Sequence, residues 1–299
     1  FYIFVISNTK ALTEVIRINN SSRHQDNLIS IVKESLSKII NLQRHKGNTF
    51  SIFSMNILTL TPRVSYELNL TLKVLKKKDN GMHEIKSHFQ LIDLCDVMHI
   101  EKSNAQQSSI RTNASIDIDS KKNLAYQAIE TLSKHVSQVL HCNIIIEKNI
   151  PIGGGLGGGS SNAAAALIGI NKLFSLQLDI SELMKIGLTL GADVPFFVAG
   201  KNAIASGIGE QLSEINSETN KFLVISPPIH SSTQEMFQIW DELHEQNMLQ
   251  STAEDENSFL QIFLQRHLEV KAIFKELFFS LINSTSSADK PPCPLLTIV

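Results

Sequence analysis

Residues 150–167 read IPIGGGLGGGSSNAAAAL, with six glycines in seven positions followed by two serines, an asparagine and four alanines. Backbone this bare brings its N–H groups close to an oxyanion and adopts positive φ without strain. A helix opening near Ser160 would add unpaired N–H groups and the positive end of its dipole. Ser160 and Ser161 are placed to cap that helix or to reach a phosphate or its metal ion. Ala163 to Ala166 keep its first turns slim enough to pack beneath the loop. The chemistry is phosphate binding. A second group, Asp193 in Gly-Ala-Asp-Val-Pro, is placed either to take a proton from a hydroxyl or to cap a turn before Pro195.

Two familiar phosphate loops fit poorly. No Lys-Ser or Lys-Thr closes the glycine run, as a P-loop requires. Gly153, Gly155 and Gly158 satisfy G-x-G-x-x-G, and Asp179 follows about twenty residues on. Asp179, however, opens DISE, a capping box at a helix start, not the end of a second strand where it would hold a ribose.

The elements that must position these groups are legible around them. Residues 56–78 alternate apolar and polar, with Leu68, Leu70, Leu72 and Val74 on one face of a strand or hairpin. Asp79-Asn80-Gly81 is a turn signal before another strand. Residues 123–140 carry helical spacing, and CNIIIEKNIP is a β-branched strand leading into the glycines. A helix runs to about Phe174. VPFFVAGKNAIASGIGEQLSEI reads as strands around Gly200 and Gly207, KFLVISPPIH as a further strand, and residues 233–283 as mostly helical.

Across 299 residues the net charge is −2, which gives no electrostatic footprint for nucleic acid. Cys95, Cys142 and Cys293 lack metal or redox spacing and read as buried or inert thiols of a reducing compartment. No apolar run is long enough to span a bilayer. The opening FYIFVI lacks the basic flank and cleavage site of a signal peptide. Met55 is a plausible start, and residues 1–54 read as an upstream extension, possible disorder or a mis-called segment. Their few acids and many Ser, Asn, Arg and Lys leave organellar import open, against a cytoplasmic, bacterial-type setting.

Four stretches together resemble the GHMP kinases. PIGGGLGGGSSNAAAAL resembles their ATP-binding motif. Residues 68–96 resemble the first motif, with Asn69, Gly81, His83 and Asp96 in place; residues 190–210 resemble the catalytic segment, and SSTQEMF (231–237) a substrate-side turn. The resemblance covers about residues 59–275, and is strongest to the branch acting on a cytidine-diphosphate-linked methylerythritol in non-mevalonate isoprenoid synthesis. It implies an α+β, two-domain fold: a ribosomal-protein-S5-like ATP-binding domain over residues 55–215 and a ferredoxin-like domain over 216–299. It implies ATP-dependent phosphorylation of the substrate's 2-hydroxyl, with Mg²⁺ bridging the ATP phosphates and Ser160 or Ser161 as possible ligands. Pro151, Ile152, Gly153, Gly154, Gly155, Leu156, Gly157, Gly158, Gly159, Ser160 and Ser161 then hold ATP. Asp193 is the base, and Asn69, Met82, His83 and Thr233 contact substrate, His83 at the cytosine end. Neither nucleic acid nor membrane is an expected partner, and the oligomeric state stays open. Lys148 and Lys201 are expected to be solvated surface residues.

The chain departs from the family pattern in three places. The family's Pro-Ala-Lys-x-Asn is Ser65-Tyr66-Glu67-Leu68-Asn69 here, so a glutamate stands where a lysine would partner Asp193. Two like charges about 4 Å apart cost on the order of 4 kcal/mol at an effective dielectric near 20. The family's C-terminal glycine loop is replaced by Asn283-Ser284-Thr285-Ser286-Ser287, and Asn257-Ser258-Phe259 stands for Asn-Asp-Leu. A catalytically impaired remnant, or a GHMP kinase for another small alcohol such as homoserine or a mevalonate, are the alternatives.

Overall fold

A computed structural model describes residues 4–6, 63–105, 107–113, 120–149, 157–216, 223–225, 232–249, 257–268, 271 and 297–298. Expectations for the 1–54 extension, Met55, residues 150–156 of the glycine run, Cys293 and the serine-rich tail lie outside, apart from the strand at Phe4–Ile6. The described residues fall into two compact units. One contains the end of the first long strand up to Leu68 together with Glu84–Ile215; the other contains Asn69–His83 and the described residues from Asn216 onward.

The Asn-Gly turn connects two long strands, β2 (Arg63–Lys77) and β3 (His83–Lys102), which pair with each other. Gly81 takes φ 82° there. β3 continues into a sheet of order β4-β5-β3-β6-β7, with β4 at Ser109–Thr112, β5 at Cys142–Glu147, β6 at Ala203–Ser206 and β7 at Gln211–Glu214. β5 runs antiparallel to β3 from Val97↔Glu147 to Lys102↔Cys142 and parallel to β4. Alternation in CNIIIE puts Cys142, Ile144 and Ile146 inside, where they meet Met98 and Ile100 of β3.

Helices cover that face. α1 (Leu124–His135) is capped by Asn123, whose Oδ1 accepts from Ala125 N at 3.0 Å. It stops short of residue 140 because Val136 closes it and Ser137 turns to φ 51°. α2 (Gly158–Leu173) buries Ala163 to Ala166 against the core, the close packing their small side chains allow. α3 (Ile180–Leu188) carries the capping box: Glu182 N donates to Asp179 Oδ1 at 2.8 Å, and Asp179 N to Glu182 Oε2 at 2.9 Å. That pairing commits Asp179 to helix initiation, so it holds no ribose.

VPFFVA is a helix and not a strand. α4 (Val194–Ala199) has Asp193 at its N-cap, Pro195 in its first turn and Gly200 at φ 66° closing it. Proline needs no N–H partner at that position, and glycine accepts the left-handed closure. Val194 to Val198 are all buried, and burial on all sides erases the helical period.

The other unit has a three-stranded antiparallel sheet, β8 (Leu223–Ile225), β1 (Phe4–Ile6) and β9 (Thr297–Ile298), in the order β8-β1-β9. α5 (Thr233–Glu245) and α6 (Leu260–Arg266) pack with Met236, Trp240 and Phe263 inside. Before α6, Asn257 and Ser258 are buried and anchored to β2. Ser258 N donates to the Leu72 carbonyl at 2.7 Å, and Val74 N donates to Ser258 Oγ at 3.1 Å. The serine at this departure from the family pattern therefore accepts from a backbone donor of β2.

Candidate functional site

The first group gathers where α2 begins. Gly157, at φ 64°, is the N-cap and offers no side-chain cap, so the first-turn N–H groups have no intrahelical acceptor. A Cβ at Gly157 would lie 2.7 Å from the Phe197 ring and 3.4 Å from Glu67 Oε1. Only glycine lets the backbone pass that ring. Ser160 and Ser161 do not cap the helix, one of the two roles their position left open. They lie within the first turn, Ser161 buried and Ser160 half-buried with its hydroxyl near Gly191.

Asp193 belongs to the same unit and acts on Glu67, whose Oε1 stands near Gly157. A Cβ on Gly209 would meet Asp193 Oδ1 at 3.7 Å. Although Asp193 is an N-cap by position, its side chain makes no cap hydrogen bond, which leaves the carboxylate for other chemistry. Burial holds its carboxyl above the usual aspartate range.

Glu67 faces it from β2, on the strand face opposite Leu68, and both residues are buried. Its Oε2 is sealed from solvent without a hydrogen-bond partner. Burial foremost, and the Asp193 charge second, push the Glu67 carboxyl well above the glutamate range. Burial thus favours the protonated form of Glu67, which would ease the repulsion expected from two carboxylates.

The direction of this shift has a measurable consequence. Because the folded carboxyl is raised above its unfolded value, its contribution to stability is complete below that value. It is lost as pH rises through the folded pKa, upward from the ordinary 4.5. The slope is at most about 1.4 kcal/mol per pH unit. Urea unfolding across this range should show a steeper loss for the wild-type chain than for Glu67→Gln. Equal slopes would refute a proton-holding Glu67.

Ahead of the glycine run, Lys148 is not the surface lysine expected. Its side chain is 12% exposed and ion-paired with the fully buried Asp96. Lys201 does lie at the surface, 2.7 Å from Glu214.

The second group belongs to the other unit. His83 is buried, its ring stacked on Phe237 at 4.4 Å and edge-on to Trp240 at 5.9 Å. Its Nε2 lies 2.7 Å from Asp241 Oδ1, while Lys77 Nζ donates to Asp241 Oδ2 at 2.7 Å. Burial alone would raise the Asp241 carboxyl, but these two partners outweigh it and hold the carboxyl below the usual range. Met82 is exposed, Thr233 is exposed at the start of α5, and Asn69 is half-buried on β2. Phe237, Trp240 and Asp241 are partners the sequence reading missed. Their signal was the spacing of 237 and 241, one turn apart on a helix.

Residues 123–201 match the family model of the GHMP kinases N terminal domain. A solved 4-(cytidine 5'-diphospho)-2C-methyl-D-erythritol kinase superposes with a TM-score of 0.55 at 25% identity, over 72% of this chain and 81% of that one. The fold is of the GHMP-kinase type. The 4-diphosphocytidyl-2-C-methyl-D-erythritol kinase of Methylococcus capsulatus is 39% identical over 171 residues, 57% of this chain and 58% of the relative. The enzyme of that name from Acinetobacter baumannii (strain ACICU) is 43% identical over 171 residues, 57% and 61% of the two chains. The chain thus spans less than two thirds of the length of these curated relatives. No described helix is long and apolar enough to cross a membrane.

Proposed function

We propose that the chain is an ATP-dependent kinase that phosphorylates the 2-hydroxyl of 4-diphosphocytidyl-2-C-methyl-D-erythritol. The observation that carries this is an uncapped α2 N-terminus and an Asp193 carboxylate that its own helix does not use, both beside Glu67. The likeness to kinases bearing that substrate's name supports the substrate.

The α2 first turn fits a triphosphate: its N–H groups and dipole favour an anion, and Gly157 keeps the approach clear. ATP supplies the phosphoryl group and Mg²⁺ screens its charge. Ser160 is the hydroxyl that would hold the ion. No cluster of three or more His, Cys, Asp or Glu among the described residues forms a metal cage, so the phosphates would provide most of the ligands. Asp193 accepts the proton of the 2-hydroxyl as that oxygen bonds to the γ-phosphorus and ADP leaves. Because burial raises Asp193, turnover falls on acidification at a higher pH than an exposed aspartate would give. A second reading, a weakened form of this kinase, is favoured by Glu67, which supplies no positive charge beside the base.

In the other unit, Asp241 holds one nitrogen of His83 and so fixes the ring that the cytosine end would meet. Asp241→Asn should raise KM for the cytidylyl substrate about tenfold through loss of a charge-assisted hydrogen bond, with KM for ATP unchanged. Equal effects on both constants would remove His83 from that role. The proposal itself is tested by incubating the purified chain with γ-labelled ATP and, separately, the cytidylyl alcohol, homoserine or mevalonate. Label on the cytidylyl alcohol alone is expected. Label on another alcohol would reassign the substrate, and label on none would overturn the activity.

A further inference from the structure

Strands β6 and β7 are joined by Gly207-Ile208-Gly209-Glu210. Ser206 pairs with Gln211 across this loop, and Gly207 extends the β3–β6 ladder, its carbonyl accepting from Ile85 N at 2.8 Å. Gly207 takes φ 71° and Gly209 φ 117°, conformations that glycine alone adopts at little cost. Glu210 folds back over the loop. Its Oε2 accepts from Ile208 N at 2.6 Å, and a Cβ at Gly207 would stand 2.6 Å from each of its carboxylate oxygens. Gly209 N donates to the Ser206 carbonyl at 3.1 Å.

The loop brings bare backbone to Asp193. Gly209 is buried, and a Cβ there would touch Asp193 Oδ1 at 3.7 Å, Ile85 at 3.8 Å and Phe89 at 3.9 Å. Asp193 takes no hydrogen bond from its own helix, so its carboxylate depends on what packs around it. A loop with two glycines samples many conformations unless something closes it. The Glu210 bond is that closure, because a carboxylate accepting from a peptide N–H is among the stronger hydrogen bonds. A two-residue turn would join β6 to β7 without any clamp; the longer loop is what carries Gly209 to Asp193.

We infer that Glu210 is a positioning residue, which by holding the Ile208 N–H keeps Gly209 against the Asp193 carboxylate and so fixes that carboxylate for its work. The catalytic half of this inference rests on the kinase reading above; the packing half does not.

The test compares the wild-type chain with E210A and E210Q. Alanine removes the acceptor, whereas glutamine keeps a carbonyl oxygen for Ile208 N and loses only the charge. Kinase turnover is measured with ATP and the cytidylyl alcohol, and the Asp193 carboxyl is titrated by NMR in the free proteins. Burial raises that carboxyl, so opening the loop to water should bring it down toward the ordinary aspartate range. Glu67 on β2 also acts at this place and is the same in every variant. E210A should lose about tenfold in kcat, as a slightly misplaced base would, with both KM values unchanged and the Asp193 titration lowered. E210Q should restore both readouts. Should E210A not fold, Gly207→Ala displaces the same carboxylate and is read in the same way.

An E210A chain with unaltered Asp193 titration overturns the inference, whatever its kcat. Equal shifts in E210A and E210Q would make the effect one of charge and overturn it as well. A lowered titration with unaltered kcat overturns the catalytic half. A lowered titration in E210A alone, in a protein whose wild type transfers no phosphoryl group, upholds the packing half and sinks the kinase reading instead.

Discussion

Asp193→Asn should lower kcat by about 10²–10⁴-fold, the range over which a positioned base contributes, while KM for ATP and for the alcohol moves little. The asparagine keeps the N-cap position, and the wild-type side chain makes no cap hydrogen bond that could be lost. Relieving a buried carboxylate of its charge should leave stability equal or higher. The two readouts therefore separate: an inactive variant with an unchanged or raised unfolding midpoint is the signature of a chemical role. A variant that keeps more than about a tenth of wild-type kcat would remove Asp193 as the base.

Glu67→Lys should act in the opposite direction, raising kcat at least tenfold. The ceiling is roughly a thousandfold, if all of the ~4 kcal/mol of a close charge contact is realised in the transition state. An ammonium at residue 67 would favour ionised Asp193 and attract the transferring phosphoryl group. It would also lower the Asp193 pKa, so the acid limb of the rate profile should move to lower pH. Glu67→Gln separates charge from shape. Because burial favours the protonated form of Glu67, the neutral amide should change kcat less than about threefold. A lysine variant that folds normally yet turns over no faster would show that residue 67 does not govern the base. A large gain in the glutamine variant would show that Glu67 is ionised.

How far these residues could be read from sequence depended on the kind of signal each carried. The Asp179–Glu182 capping box and the Asn80-Gly81 turn rest on local chemistry, which needs no tertiary partner to be recognised. The α2 alanines announced a tightly packed helix for the same reason. VPFFVA carried no period at all, since every side chain from Val194 to Val198 is inside; only its flanking Asp, Pro and Gly indicated a helix. Lys148 looked like a solvated lysine until the inward alternation of β5 is carried one residue past the strand's end. Phe237 and Asp241 gain their meaning only from His83, more than 150 residues away in sequence. The raised pKa of Glu67 is a property of burial, and no spacing rule reports burial of a polar side chain on the second face of a strand.

The central claim is geometric: the α2 N-terminus holds the triphosphate while Asp193 meets the attacking hydroxyl. It is tested most directly by a crystal structure with a non-hydrolysable ATP analogue and the cytidylyl alcohol both bound. The terminal phosphate should lie on the first-turn amides of Gly158 to Ser160, with the 2-hydroxyl within about 2.6–3.2 Å of an Asp193 carboxylate oxygen. Phosphates bound elsewhere on the chain, or a hydroxyl out of reach of Asp193, would contradict it.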